Sequence, residues 1–116
     1  MKKVSNVVAE ANAIVESFLA TDAFALHGQD GVTFVDLRDI RELQRDGMMP
    51  GAFHCPRVML EFWLDPESPC AKPQFQSGNR FVFYCAAGHR SALAARVAQE
   101  MRLTFSSPIS LSLIHI

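Results

Sequence analysis

The spacing of apolar residues changes repeatedly along this chain, and each change marks an element. Val4, Val7, Val8 and Ala11 recur at helical spacing and predict a helix over about residues 4–13. Ile14 to Leu19 reads either as a short strand or as more of that helix. Thr21 is a suitable N-cap for a short helix through about Ala25, and Gln29-Asp30-Gly31 signals a turn. Val32-Thr33-Phe34-Val35, ending at Asp36, is β-branched and aromatic and predicts a buried strand. Asp39 can cap a helix carrying Ile40 and Leu43, which Gly47 ends, and Pro50-Gly51 turns the chain into a short strand near Ala52-Phe53-His54. Pro56 predicts the start of a helix containing Met59, Leu60, Phe62 and Trp63. Residues 65–79, with Pro66, Pro69, Pro73 and Gly78, predict a polar loop. A strand over Arg80–Tyr84 follows, then a helix from Ser91 to about Met101 with Ala94, Val97, Ala98 and Met101 on one stripe.

Strands alternating with helices predict an α/β fold: a central parallel sheet with helices on both faces. Ligands of such sheets bind beyond the carboxyl ends of strands. The chain has 116 residues, enough for one domain, and 49% of them are hydrophobic, enough for a core. Its net charge of −1 gives no reason to expect a nucleic acid or an acidic membrane as partner. Apolar runs are too short for a transmembrane helix. Met1-Lys2-Lys3 resembles the charged start of a signal peptide, but Ser5, Asn6, Glu10 and Asn12 interrupt the apolar stretch that must follow, so a cytoplasmic location is expected.

Cysteine narrows the chemistry. Cys55, Cys70 and Cys85 form neither a CxxC pair nor a zinc-spaced cluster, so no metal or cofactor is expected, and one reactive cysteine beside two ordinary ones is the simplest account. Cys85 ends the predicted strand and opens the segment Cys85-Ala86-Ala87-Gly88-His89-Arg90-Ser91 before the helix. At a strand-to-helix turn, backbone N–H groups and the helix dipole point at the sulfur and favour the thiolate, the form that attacks. Gly88 permits a tight loop, Arg90 adds a fixed charge, and Ser91 is placed to cap the helix. Cys55 reads as a packing residue and Cys70 as an exposed one. His89 reads as a solvent-facing loop residue or as one that tunes the substrate. His54 and Arg57 read equally as pocket-entrance or as surface residues.

With Asp36 and the cysteine loop both placed, the chain resembles a rhodanese-like domain of the single-domain sulfurtransferase type, from about Phe18 to Met101. The resemblance rests on Val35-Asp36-Leu37-Arg38-Asp39, on Gly47-Met48-Met49-Pro50-Gly51-Ala52 where the family has Gly-His-Ile-Pro-Gly-Ala, and on Cys85-x-x-Gly88-x-Arg90-Ser91. It implies a three-layer fold and a Cys85 persulfide. That persulfide would take sulfane sulfur from thiosulfate or another persulfide and pass it to cyanide, a thiol or a protein acceptor. Asp36 and Arg38 would support the loop as an ion pair or cap, and Arg90 would bind the donor's oxyanion or tie the loop to a carboxylate. Cys85 and Arg90 have four residues between them, as in the sulfurtransferases; the related phosphatases have one more. A non-catalytic binding module of the same fold is the other alternative, although such modules often lose the cysteine.

The end of the chain departs from the family. The last strand and helix are expected to be missing, with a domain over residues 1–110. Residues 111–116, Leu-Ser-Leu-Ile-His-Ile, also spell one reading frame of a common sequencing adapter and read as a non-native tail, the alternative being a natural apolar terminal strand.

Overall fold

The computed structural model describes residues 1–102 and 111–115. A helix, α1 (Val4–Ile14), leads into a short strand, β1 (Glu16–Phe18), which settles the choice left open for that segment. The next helix, α2 (Ala20–Phe24), begins one residue before Thr21, with Leu19 in the extended cap position and no side-chain cap. Then come β2 (Val32–Asp36), α3 (Ile40–Asp46) and β3 (Phe53–His54). The helix expected after Pro56 splits into a 3-10 turn, Arg57–Met59, and a short helix, α4 (Leu60–Leu64). The central strand β4 (Arg80–Cys85) and the long helix α5 (His89–Arg102) follow, and β5 (Leu111–His115) ends the order.

The sheet runs β1-β5-β4-β2-β3, and every pairing is parallel. The expectation of a sheet without its last strand is corrected. Leu111–His115 lies between β1 and β4, with Cys85 opposite His115 and Glu16 opposite Ser112. Unpaired N–H and C=O groups on β1 and β4 form open edges, and a strand-prone segment satisfies both, whatever its origin.

Two clusters of buried side chains surround the sheet. The larger joins Val35, Phe81 and Phe83 to Ala11 and Val15 of the first helical segment, to Leu60 and Leu64, and to Ala92, Ala95 and Ala98 of α5. The second gathers Ala23, Phe34, Val82 and Tyr84. Residues 81 and 83 thus face one layer and 82 and 84 the other, the period-two alternation of a strand covered on both faces. Residues 65–79 are less polar in structure than in composition: a 3-10 turn, Pro73–Gln76, carries Phe75 fully into the larger cluster against Phe53 and Phe81.

Candidate active site

Cys85 sits at the carboxyl end of β4, the strand flanked by β2 and β5. Its residue surface is almost wholly buried, and the loop that follows folds back over the sulfur. The Gly88 N–H donates to Cys85 Sγ at 3.2 Å, and the Ser91 N–H donates at 3.4 Å. The Cys85 thiol in turn reaches the Ser91 hydroxyl oxygen at 3.5 Å. Gly88 makes this fold-back possible: its φ of +84° lies in the left-handed region that residues with a Cβ rarely adopt.

The helix starts earlier than the sequence predicts. His89 is the first residue of α5, and the Ala92 N–H donates to the Gly88 carbonyl at 3.1 Å. Ser91 is therefore not the N-cap. It lies in the first turn, fully buried, its N–H donating to the sulfur and its hydroxyl oxygen accepting from the thiol. The amino end of α5 is thereby aimed at Cys85, where its dipole and free N–H groups favour negative charge. Ala86, Ala87 and His89 are exposed.

Arg90 ties the loop to a carboxylate. Its Nη1 and Nη2 each donate at 2.8 Å to the two oxygens of Glu42. Glu42 also completes a capping box on α3: the Asp39 N–H donates to Glu42 Oε2 at 2.9 Å, while Asp39 Oδ1 accepts from the Arg41 and Glu42 N–H groups. Hydrogen bonds from Arg90, first, and from the Asp39 backbone, second, hold the Glu42 carboxyl down at about 2. The same pairing pushes the Arg90 guanidinium above its ordinary value. Nothing in the sequence connects Glu42 with Arg90; the signal it does carry is its position three residues after Asp39, which marks a capping box.

A second fork lies at the end of β2. Arg38 Nε and Nη2 donate to Asp36 at 3.1 and 2.8 Å, and Nη2 also donates to the Gly47 carbonyl at 2.8 Å. Asp36 is fully buried. Burial pushes its carboxyl up, but the side-chain and backbone hydrogen bonds from Arg38 outweigh it and leave the group below the usual range. Tyr84 Oη is buried close to that carboxylate without a hydrogen bond of good geometry. Burial first, and Asp36 second, hold the phenol well above its ordinary value.

A cavity of about 310 Å³ opens beside Cys85 and Ala86, between Arg38, Tyr84 and the Met48-Met49 segment, with Phe24 at its edge. His54 and Arg57 are not among its lining residues. His54 Nε2 lies 2.7 Å from the Arg38 carbonyl, and Arg57 pairs with Glu61 at 2.8 Å. Cys55 is buried, and desolvation pushes its thiol up to about 12. Cys70 is exposed. Among the described residues, no group of three His, Cys, Asp or Glu side chains is placed to hold a metal ion. Nor does any described helix have the length and apolarity to cross a membrane.

Comparison with known proteins agrees with this architecture. A protein of unknown function from Rhodopseudomonas palustris CGA009, described as a possible tyrosine phosphatase, is 49% identical; the match covers 99% of this chain and 85% of that one, with a TM-score of 0.90. The human single-domain sulfurtransferase TSTD1 shares the fold at 20% identity, with a TM-score of 0.66 over 87% of this chain and 89% of its own. An uncharacterised protein from Saccharomyces cerevisiae does so at 24% identity and a TM-score of 0.63, over 87% of this chain and 85% of its own. Among curated proteins, none matches in sequence. The family model for the rhodanese-like domain matches residues 19–111, and with that match, on a parallel sheet that ends in the Cys85 loop, the chain belongs to the rhodanese-like domain family.

Proposed function

We propose that this protein is a sulfurtransferase that carries sulfane sulfur as a persulfide on Cys85. The observation that carries this reading is the ring of polar groups on one sulfur: two backbone N–H groups donate to it within 3.4 Å, and the Ser91 hydroxyl oxygen that accepts from its thiol lies at 3.5 Å, at the amino end of a helix. Such a ring stabilises negative charge on Sγ and, one bond further out, on a terminal persulfide sulfur. In the first half-reaction the Cys85 thiolate attacks the outer sulfur of thiosulfate or of an organic persulfide. The donor's S–S bond breaks, and sulfite or a thiolate leaves with the electron pair. In the second half-reaction cyanide, a thiol or a protein thiol attacks the sulfane sulfur, and the electron pair returns to Cys85 Sγ. Ala86, Ala87, Gly88 and His89 form the loop in this reading, Arg90 and Ser91 fix it, and Asp36 and Arg38 support it. A cytoplasmic location, with small donors and acceptors, belongs to the same reading.

A phosphatase is the second reading, and the similarity to a protein described as a possible tyrosine phosphatase is what favours it. Two features weigh against it. Only four residues separate Cys85 from Arg90, and both terminal nitrogens of Arg90 are already committed to Glu42 rather than free to clasp a phosphoryl group. The test is a mass spectrum. Thiosulfate should add about 32 Da, one sulfur, to a cysteine nucleophile of this kind. Cyanide should remove it as thiocyanate. Cys85→Ser should abolish both steps, while Cys55→Ser and Cys70→Ser keep them. Phosphomonoester hydrolysis without persulfide formation would overturn the sulfurtransferase reading.

A further inference from the structure

The cavity beside Cys85 is much larger than the smallest sulfur acceptors require. Its volume is about 310 Å³. A water molecule's share of liquid volume is about 30 Å³, so there is room for roughly ten waters. Cyanide would leave most of that space filled with solvent. The apolar part of its lining comes from Phe24 at the end of α2 and from Met48 and Met49 after α3, beside the polar Arg38, Asp46 and Tyr84. Phe24 is 48% exposed, an aromatic residue that folding leaves partly uncovered in the cavity lining. The charged groups of the lining, Arg38 and Asp46, are each already paired, Arg38 with Asp36 and Asp46 with Arg45. The lining therefore offers apolar contact and no unbalanced charge.

We propose that the acceptor in the second half-reaction is a small organic thiol with an uncharged aromatic or branched apolar body, which rests on Phe24, Met48 and Met49 while its sulfur meets Cys85. The inference rests on the persulfide reading above and names the substrate class for that site. Thioethers and rings make favourable contacts with an aromatic body, and burial of that body adds hydrophobic stabilisation. The acceptor thiolate attacks the sulfane sulfur of the Cys85 persulfide. A new S–S bond forms to the acceptor, the bond to Sγ breaks, and its electron pair stays on Sγ. The products are the acceptor's persulfide and free Cys85, with no external oxidant or reductant.

The test begins with protein persulfidated on Cys85 and follows the loss of the added sulfur by mass spectrometry. The acceptors are benzyl mercaptan, 2-mercaptoethanol and glutathione. Benzyl mercaptan should discharge the persulfide at least tenfold faster, at equal concentration, than either of the others. Phe24→Ala and Met48→Ala, made separately, should each lower that ratio. Equal rates with all three acceptors, or a ratio unmoved in both variants, would overturn the acceptor proposal while leaving the persulfide reading intact. A second measurement does not depend on turnover: benzyl alcohol titrated into Cys85→Ser protein should shift the NMR methyl signals of Met48 and Met49. No shift there overturns the proposal. A shift there, combined with failure of the wild-type protein to gain a sulfur from thiosulfate, overturns the sulfur-transfer reading instead, and with it the thiol acceptor.

Discussion

Arg90 and Glu42 lie 48 residues apart in sequence and meet through two hydrogen bonds of 2.8 Å, fork to fork. Glu42 Oε2 simultaneously accepts from the Asp39 N–H. One carboxylate thus joins the first turn of α3 to the segment that follows Cys85. The pair has an intermediate exposure, 16% for the Glu42 side chain and 39% for Arg90, so its geometry rather than its burial is what distinguishes it.

Replacing the fork should cost activity while charge is kept. Lysine offers a point charge and cannot donate to both Glu42 oxygens from a planar group. Arg90→Lys should lower kcat/KM for sulfur transfer by about tenfold or more, equivalent to about 1.4 kcal/mol of transition-state stabilisation. Near-normal turnover in that variant would reduce Arg90 to a source of positive potential.

The same pair predicts an acid limb in the stability profile. Glu42 is depressed from 4.5 to about 2, so the folded state binds its proton less readily than the unfolded state does. Its contribution is fully present above about pH 4.5 and is lost as pH falls toward 2. Chemical denaturation across that window should show wild-type stability falling as acid is added. Glu42→Gln should be less stable near neutrality and should show a shallower fall. Parallel profiles for the two proteins would mean that the pair does not form in solution.

Thiol mapping should separate the two cysteines outside the loop. Cys55 is fully buried and held up to about 12 by desolvation, whereas Cys70 is exposed. Iodoacetamide at neutral pH should label Cys70 in the folded protein and reach Cys55 only after denaturation. Rapid native labelling of Cys55, read from peptide masses, would contradict the buried position of residue 55.

Removal of residues 111–116 should destabilise the whole domain. The segment pairs with β1 on one side and β4 on the other, so its loss opens two edges within the sheet. Net stabilities of small domains are about 5–15 kcal/mol, and loss of an interior strand is a comparable quantity. The truncated protein should lose cooperative thermal unfolding by circular dichroism. An unchanged Tm would show that β5 adds nothing to the fold.

Much of this was legible because local signals agreed with the tertiary structure. The β-branched run Val32–Val35, the apolar run before Cys85 and the Asp39 cap each mark their own element, since strand burial and helix capping depend on neighbouring residues. What escaped was long-range. Nothing near Glu42 announces Arg90 as its partner. Phe75 sits among prolines that read as loop, yet aromatic contacts with Phe53 and Phe81 carry it inside. Ser91 resembled a cap because serine favours that position, but the left-handed turn at Gly88 starts the helix two residues earlier. The pairing of Leu111–His115 likewise depends on the hydrogen-bonding groups of β1 and β4 beside it, which are remote in sequence.

The two sides of the cavity rest on supports of different stiffness. Cys85 is anchored to β4, which is hydrogen-bonded on both sides, whereas Phe24 closes a five-residue helix and Met48-Met49 lie on a connection. A chemical group on a rigid floor keeps its reactivity while residues on short, surface supports drift. If Phe24, Met48 and Met49 hold the acceptor as proposed, substitution at these positions is a route to a different acceptor that leaves the hydrogen bonds around the sulfur in place.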